Sequence, residues 1–181
     1  MDSVPLRDWL NEDALVWRFP LFEQAPKTDA PEAWVAAFGA VARDLQCLRY
    51  GRAVTLDGLH WELIVNDEYY VIAGWHRPEE YVGDVGGFGI GHGLVMDAPV
   101  NEATVWVADV VQNELAGYEF VQWPSEGKHP LLPRLREQRP VWANPHTEDI
   151  VAPIGELCPQ QLVCSGSACG GSVRTGLCSW P

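Results

Sequence analysis

The sequence predicts an α+β domain: an antiparallel sheet packed by about two helices, then a proline-rich β module and a flexible tail. Three observations lead there. Two segments repeat apolar residues every three or four positions, as amphipathic helices do. A stretch between them alternates apolar and polar residues, as a half-buried strand does. Beyond Trp123 the chain is punctuated by Pro124, Pro130, Pro133, Pro140, Pro145 and Pro153, which restricts it to short strands and turns.

In residues 1–28, Trp9, Leu10, Leu15, Val16, Trp17, Phe19 and Phe22 stand among charges and are interrupted by Pro20 and Pro26. A short helix near Leu6 to Leu10 is expected, then an extended segment that docks its aromatics on the core. The clearest helix follows. Asp29 suits its cap, Pro31 its first turn, and Glu32 completes a capping-box pattern. Trp34, Phe38, Val41, Leu45 and Leu48 then make one apolar face, and Gly51 ends it.

Ala53 to Leu56 and Leu59 to Val65 flank Asp57-Gly58, the pair that favours a tight hairpin turn. In the second run Leu59, Trp61, Leu63 and Val65 should face the core, leaving His60 and Glu62 on a solvated face. A turn at Asn66 to Glu68 leads to a third strand, Tyr69 to Trp75. Six glycines between Gly83 and Gly93 predict a loop or an irregular strand. A second helix runs from about Glu102 to Ala116, with Asn101 as cap and Gly117 as stop. Short strands are expected at Leu131 to Arg136, Arg139 to Ala143 and Ile150 to Ile154.

A chain of 181 residues fits one domain, placed at residues 1–157, with residues 158–181 as a Cys-, Gly- and Ser-rich tail. Twelve Lys and Arg against 25 Asp and Glu give a net charge of −13. Such a surface repels a phosphate backbone and suits a basic protein partner, so nucleic acid is not expected. No apolar run approaches a membrane span. Residues 1–13 carry Asp2, Asp8, Glu12 and Asp13 where a secretory signal needs a basic start, so a cytoplasmic protein is expected. Cys47 alone precedes Cys158, which predicts a body without a disulfide framework.

The familiar motifs fail on inspection. The glycines at 87, 89, 91 and 93 match neither a dinucleotide fingerprint nor a phosphate loop. His60-Trp61-Glu62 lacks the P-C-x-x-C of zinc deaminases. His76 with Glu79 and Glu80, joined by His92 of the glycine-rich segment, is the candidate ligand site. Trp75 and Trp180, beside loop or tail signals, are candidate interface anchors, because exposed tryptophan commonly anchors interfaces.

Trp123-Pro124, His129-Pro130-Leu131, Val141-Trp142 and Ala152-Pro153-Ile154-Gly155 together resemble the C-terminal half of a group of uncharacterised, mostly actinobacterial proteins. Many members of that group carry cysteine near the positions of Ser125 and Asn144, which with a histidine resembles a small metal-binding ribbon. Here both cysteines are replaced, leaving His129 and His146 as weak metal candidates, with Glu148 or Asp149 as supplements. Trp123, Pro130 and Trp142 are expected to form an apolar staple that stands without metal, and no cofactor is expected.

In the tail, Cys158, Cys164, Cys169 and Cys178 match no paired C-x-x-C zinc spacing. The spacings Ser165 to Cys169 and Thr175 to Cys178 suit thioether rings of a modified peptide. An unselected extension is the simpler expectation. The leading functional expectation is therefore a non-catalytic protein-interaction domain of immunity, adaptor or regulatory type. A small enzyme or ligand-binding domain using the His76 site, and a peptide precursor, are the alternatives.

Overall fold

The structure is a computed structural model that describes residues 14–126 and 129–158. The chain is α+β, as the sequence predicts. Its elements are β1 (Leu15–Pro20), α1 (Glu32–Asp44), β2 (Tyr50–Gly51), β3 (His60–Val65), β4 (Tyr70–His76), β5 (Phe88–Val95) and α2 (Val100–Gly117). They continue with β6 (Val121–Gln122), β7 (Ser125–Glu126), β8 (His129–Pro130), β9 (Leu132–Arg136), β10 (Arg139–Ala143) and β11 (Ile150–Pro153). The main sheet is antiparallel in the order β1-β3-β4-β5, and a second sheet runs β11-β10-β9. Two-residue ribbons pair β2 with β6 and β7 with β8.

One register row organises the main sheet. Phe19, Trp61, Trp75 and Phe88 are successive cross-strand partners, one from each strand. Phe38 of α1 sits against this row, 5.8 Å from the Phe19 ring and 4.6 Å from the Trp61 ring. Stacked and edge-on aromatics of this kind add to the area they bury. All four belong to one apolar cluster with Trp34 and Val41 of α1 and Val107 and Val111 of α2. The apolar cluster thus joins the main sheet to both helices. The glycine-rich segment is a loop that passes at Phe88 into an irregular strand, as expected, with its register on β4 shifting between Tyr70 and Ile72. Gly74 lets β5 approach closely, since a Cβ there would collide with the Phe88 carbonyl oxygen.

Several local expectations are overturned. Asp29 does not cap α1, whose N-cap is Pro31 without a side-chain hydrogen bond. Its carboxylate instead accepts the Trp17 indole N–H at 3.0 Å, tying β1 to the start of α1. The helix ends at Asp44, short of Leu48, which lies at φ 54°. Asn101 lies inside α2, whose N-cap is Pro99, and its amide donates to Gln138. Asp57-Gly58 makes a turn with Gly58 at φ 88°, but residues 53–56 form no strand. The edge of β3 goes instead to β1, which supplies the aromatic partner Phe19. The proposed helix at Leu6 to Leu10 falls outside the described residues.

The C-terminal strands fall close to where proline spacing placed them, and they dock through polar groups. Asp44 is fully buried at the end of α1. Its carboxylate accepts the Trp142 indole N–H at 2.7 Å and the backbone N–H of Gly155 and Leu157 at 2.6 and 2.9 Å. Its backbone carbonyl accepts the Trp123 indole at 2.9 Å. Burial pushes the Asp44 carboxyl up, while these donors and Arg43 oppose the shift. Gln112 of α2 donates to the carbonyls of Trp123 and Leu131 at 2.9 and 2.5 Å. Trp123 and Trp142 meet edge to face at 5.2 Å. The two tryptophans of the expected staple thus meet, and both indoles donate to Asp44.

Cys47 and Cys158 form a disulfide. This corrects the expectation of a body without one: the turn after α1 puts Cys47 beside the segment that Asp44 fixes. Among the described residues no helix is long and apolar enough to cross a membrane.

Candidate functional site: an aromatic lip at the end of the second helix

Among the described side chains of the candidate ligand site, the two glutamates lie apart from His76. Glu79 and Glu80 are exposed in the turn after β4, and neither lies within ion-pair distance of His76. His76 is the cross-strand partner of His60, and its Nδ1 lies 4.0 Å from Glu62 Oε1. Glu62 is buried where solvent was expected, because β1 brings Arg18 to it at 2.6 Å. His92 lies in β5. Trp75 is not an exposed anchor. It is 1% exposed, in the aromatic row, and donates its indole N–H to the Gly86 carbonyl at 2.7 Å. Reading it as the end of its strand missed that β4 continues to His76 and holds Trp75 on the core face. Trp180 falls outside the described residues.

His129 and His146 do converge, with Nδ1 of the first 3.5 Å from Nε2 of the second. Ser125 and Asn144, the positions where the resembled group carries cysteine, have structural contacts. Ser125 is buried in the β7–β8 ribbon, and its backbone N–H donates to the Leu48 carbonyl at 2.9 Å. The Asn144 side chain accepts the N–H of His146 at 2.9 Å and of Thr147 at 3.3 Å. Among the described residues no three His, Cys, Asp or Glu side chains form a metal-binding group. Among the described residues, one cleft of about 340 Å³ lies by Phe22, Arg49 and Leu56, and another of similar size lies between Trp106 of α2 and Pro133 to Leu135 of β9. Among the described residues, no histidine lines either cleft.

Aromatic exposure and perturbed acid chemistry coincide at the segment leaving α2. Glu119 is buried, and its carboxylate receives the Arg52 guanidinium and the Gly86 N–H, the latter at 2.9 Å. Arg52 also grips this segment through its Nε to the Glu119 carbonyl at 3.0 Å and its backbone N–H to the Phe120 carbonyl at 3.3 Å. Its other arm reaches Asp84. Pulling Glu119 inward turns its neighbours outward: Tyr118 and Phe120 are each 75% exposed, next to fully buried Val121. Phe120 holds φ 55°, a left-handed conformation costing a non-glycine residue about 1 kcal/mol or more. Opposite it, Gly51 at φ 119° leaves room where a Cβ would meet the Phe120 carbonyl oxygen. Tyr50, half exposed, completes the lip from β2, where it pairs with Gln122.

Beneath the lip lies Glu114, on the last turns of α2 and buried. Burial, then the Glu119 charge, push its carboxyl up to about 7. Of these two neighbouring acids, Glu119 is paired with Arg52, while Glu114 is shifted toward its neutral form. Sequence reasoning missed this site. Its signal was Gly117 followed by two aromatics flanking an acid, a pattern that exposes both rings if the acid is anchored.

Compared with models of protein families, with curated proteins and with solved structures, the chain matches none.

Proposed function

We propose that the protein is a non-catalytic interaction domain that docks a basic protein partner through Tyr118, Phe120 and Tyr50. The observation that carries this reading is Phe120: a large apolar side chain, three-quarters exposed, on a backbone whose strain is held by Arg52 and Glu119. Tyr69 is also exposed and left-handed, at φ 63°, but there the conformation closes the β3–β4 hairpin turn. No hairpin requires it at Phe120, and strain kept there at an exposed aromatic points to recognition. Aromatic anchors of this kind supply most of the binding energy at protein interfaces. The net charge of −13 steers a basic partner and repels nucleic acid. The reading places the protein in the cytoplasm, where the Cys47–Cys158 pair would be kept largely reduced.

The test is a photo-crosslinking residue in place of Phe120, in cells of the native source, with the same probe at Tyr69 as control. Tyr69 is 63% exposed but lies in the β3–β4 turn, at the opposite end of β4 from Gly86. The expected result is one crosslinked basic protein at position 120, weakened by salt and absent from position 69. No discrete adduct, or equal adducts at both positions, would refute the reading.

A further inference from the structure

We propose that His129 and His146 form a chelating pair for a borderline divalent cation, with Zn²⁺ as the reference ion. The two rings come from separate elements, β8 and the turn after β10, and are fixed from the backbone outward. His129 is held by the backbone pairing of the β7–β8 ribbon, in which it faces Glu126. The His146 turn is locked by Asn144: its side chain takes the His146 and Thr147 N–H groups. Its own backbone N–H donates to the Asp149 carbonyl, and its carbonyl accepts the Glu148 N–H, both at 2.9 Å.

The spacing is that of two ligands on one ion. Zinc binds imidazole nitrogen at about 2.0–2.1 Å, so two nitrogens at a tetrahedral angle lie about 3.3 Å apart. The Nδ1 of His129 and Nε2 of His146 are 3.5 Å apart, with the rings perpendicular at 89°. That gap is long for a hydrogen bond between the rings. Both side chains are exposed, so water completes the coordination shell. With two protein ligands the site is exchangeable rather than a structural zinc centre. Imidazole selects zinc, copper and nickel over magnesium and calcium, which require oxygen donors. A bound ion also ties the ribbon to the turn beyond β10, so it stabilises the folded chain in proportion to occupancy.

The experiment is a titration of the full chain with ZnCl₂ near neutral pH, following the imidazole resonances of all five histidines and the urea midpoint. The expected result is that His129 and His146 shift together and saturate at one equivalent while His60 and His76 stay in place, and that the midpoint rises. His129→Ala and His146→Ala should each weaken this response by about tenfold or more, while leaving the zinc-free midpoint unchanged because both rings are exposed. MgCl₂ should move neither ring. Zinc that leaves these two rings unmoved, including zinc captured only by cysteine thiols, overturns the proposal. So does an undiminished response of His129 in the His146→Ala protein.

Discussion

The main sheet and the C-terminal sheet share one apolar cluster with the same two helices, but only the C-terminal sheet adds a buried carboxylate and a buried amide to its attachment. The main sheet is held by a row of four aromatics and an apolar cluster, with Phe38 of α1 packed on it. The C-terminal sheet joins that cluster through Trp142, with Ile154 just beyond it, and is fixed in addition by buried polar groups, Asp44 with three N–H donors and Gln112 with two carbonyl acceptors. Apolar attachment degrades gradually as volume is lost. Polar attachment fails abruptly, because removing one partner strands the others away from water. The same contrast separates Asp44 from Glu114, two buried acids of which only the first has a set of donors.

The sharpest way to break the C-terminal attachment is Asp44→Ala, which leaves the Trp142, Gly155 and Leu157 N–H groups without an acceptor. The expected cost is about 4 kcal/mol, measured by urea unfolding. Hydrogen exchange should show β10 and β11 losing protection before β3 and β4. Equal loss in both sheets would mean that the two attachments are not separable.

Glu114 gives the next largest effect, and its direction follows from the shift. Its carboxyl ordinarily titrates at 4.5 and is pushed up to about 7 in the folded chain, so the folded state binds the proton more tightly than the unfolded one. The stabilisation is complete below about pH 4.5 and is lost as pH rises to about 7. The full difference is about 3 kcal/mol. Glu114→Gln cannot ionise, so relative to the wild type it should gain about that much stability between about pH 5 and pH 8. An unchanged difference at the two pH values would show that Glu114 does not carry the shift.

The apolar half of the fold was largely legible. Trp34, Phe38 and Val41 announced the face of α1, and Trp61, Leu63 and Val65 the core face of β3, because periodicity records which side leaves water. The polar half was not. Asp29 looked like a cap and instead holds Trp17; Asp44 looked like one more helical charge and is the anchor of the C-terminal sheet. Trp17 stands 12 positions before Asp29, and the donors to the Asp44 carboxylate stand 98 to 113 positions beyond it, separations that no helical or strand spacing encodes. The lip was illegible for the same reason: Tyr118 and Phe120 are exposed only because Arg52 and Gly86 pull Glu119 inward. Of the candidate site residues, His129 and His146 were brought together, while His76 met Glu62 rather than Glu79 or Glu80.

Phe120→Gly tests the central claim most directly, because it separates recognition from folding at one position. Glycine relieves the left-handed strain and removes the exposed ring, so unfolding in urea should show a chain at least as stable as the wild type, by up to about 1 kcal/mol. Capture of the basic partner that crosslinks at position 120 should then be lost. A variant that keeps the partner at wild-type affinity, or that loses stability by more than about 1 kcal/mol, would contradict the account by showing that the Phe120 ring serves packing rather than recognition.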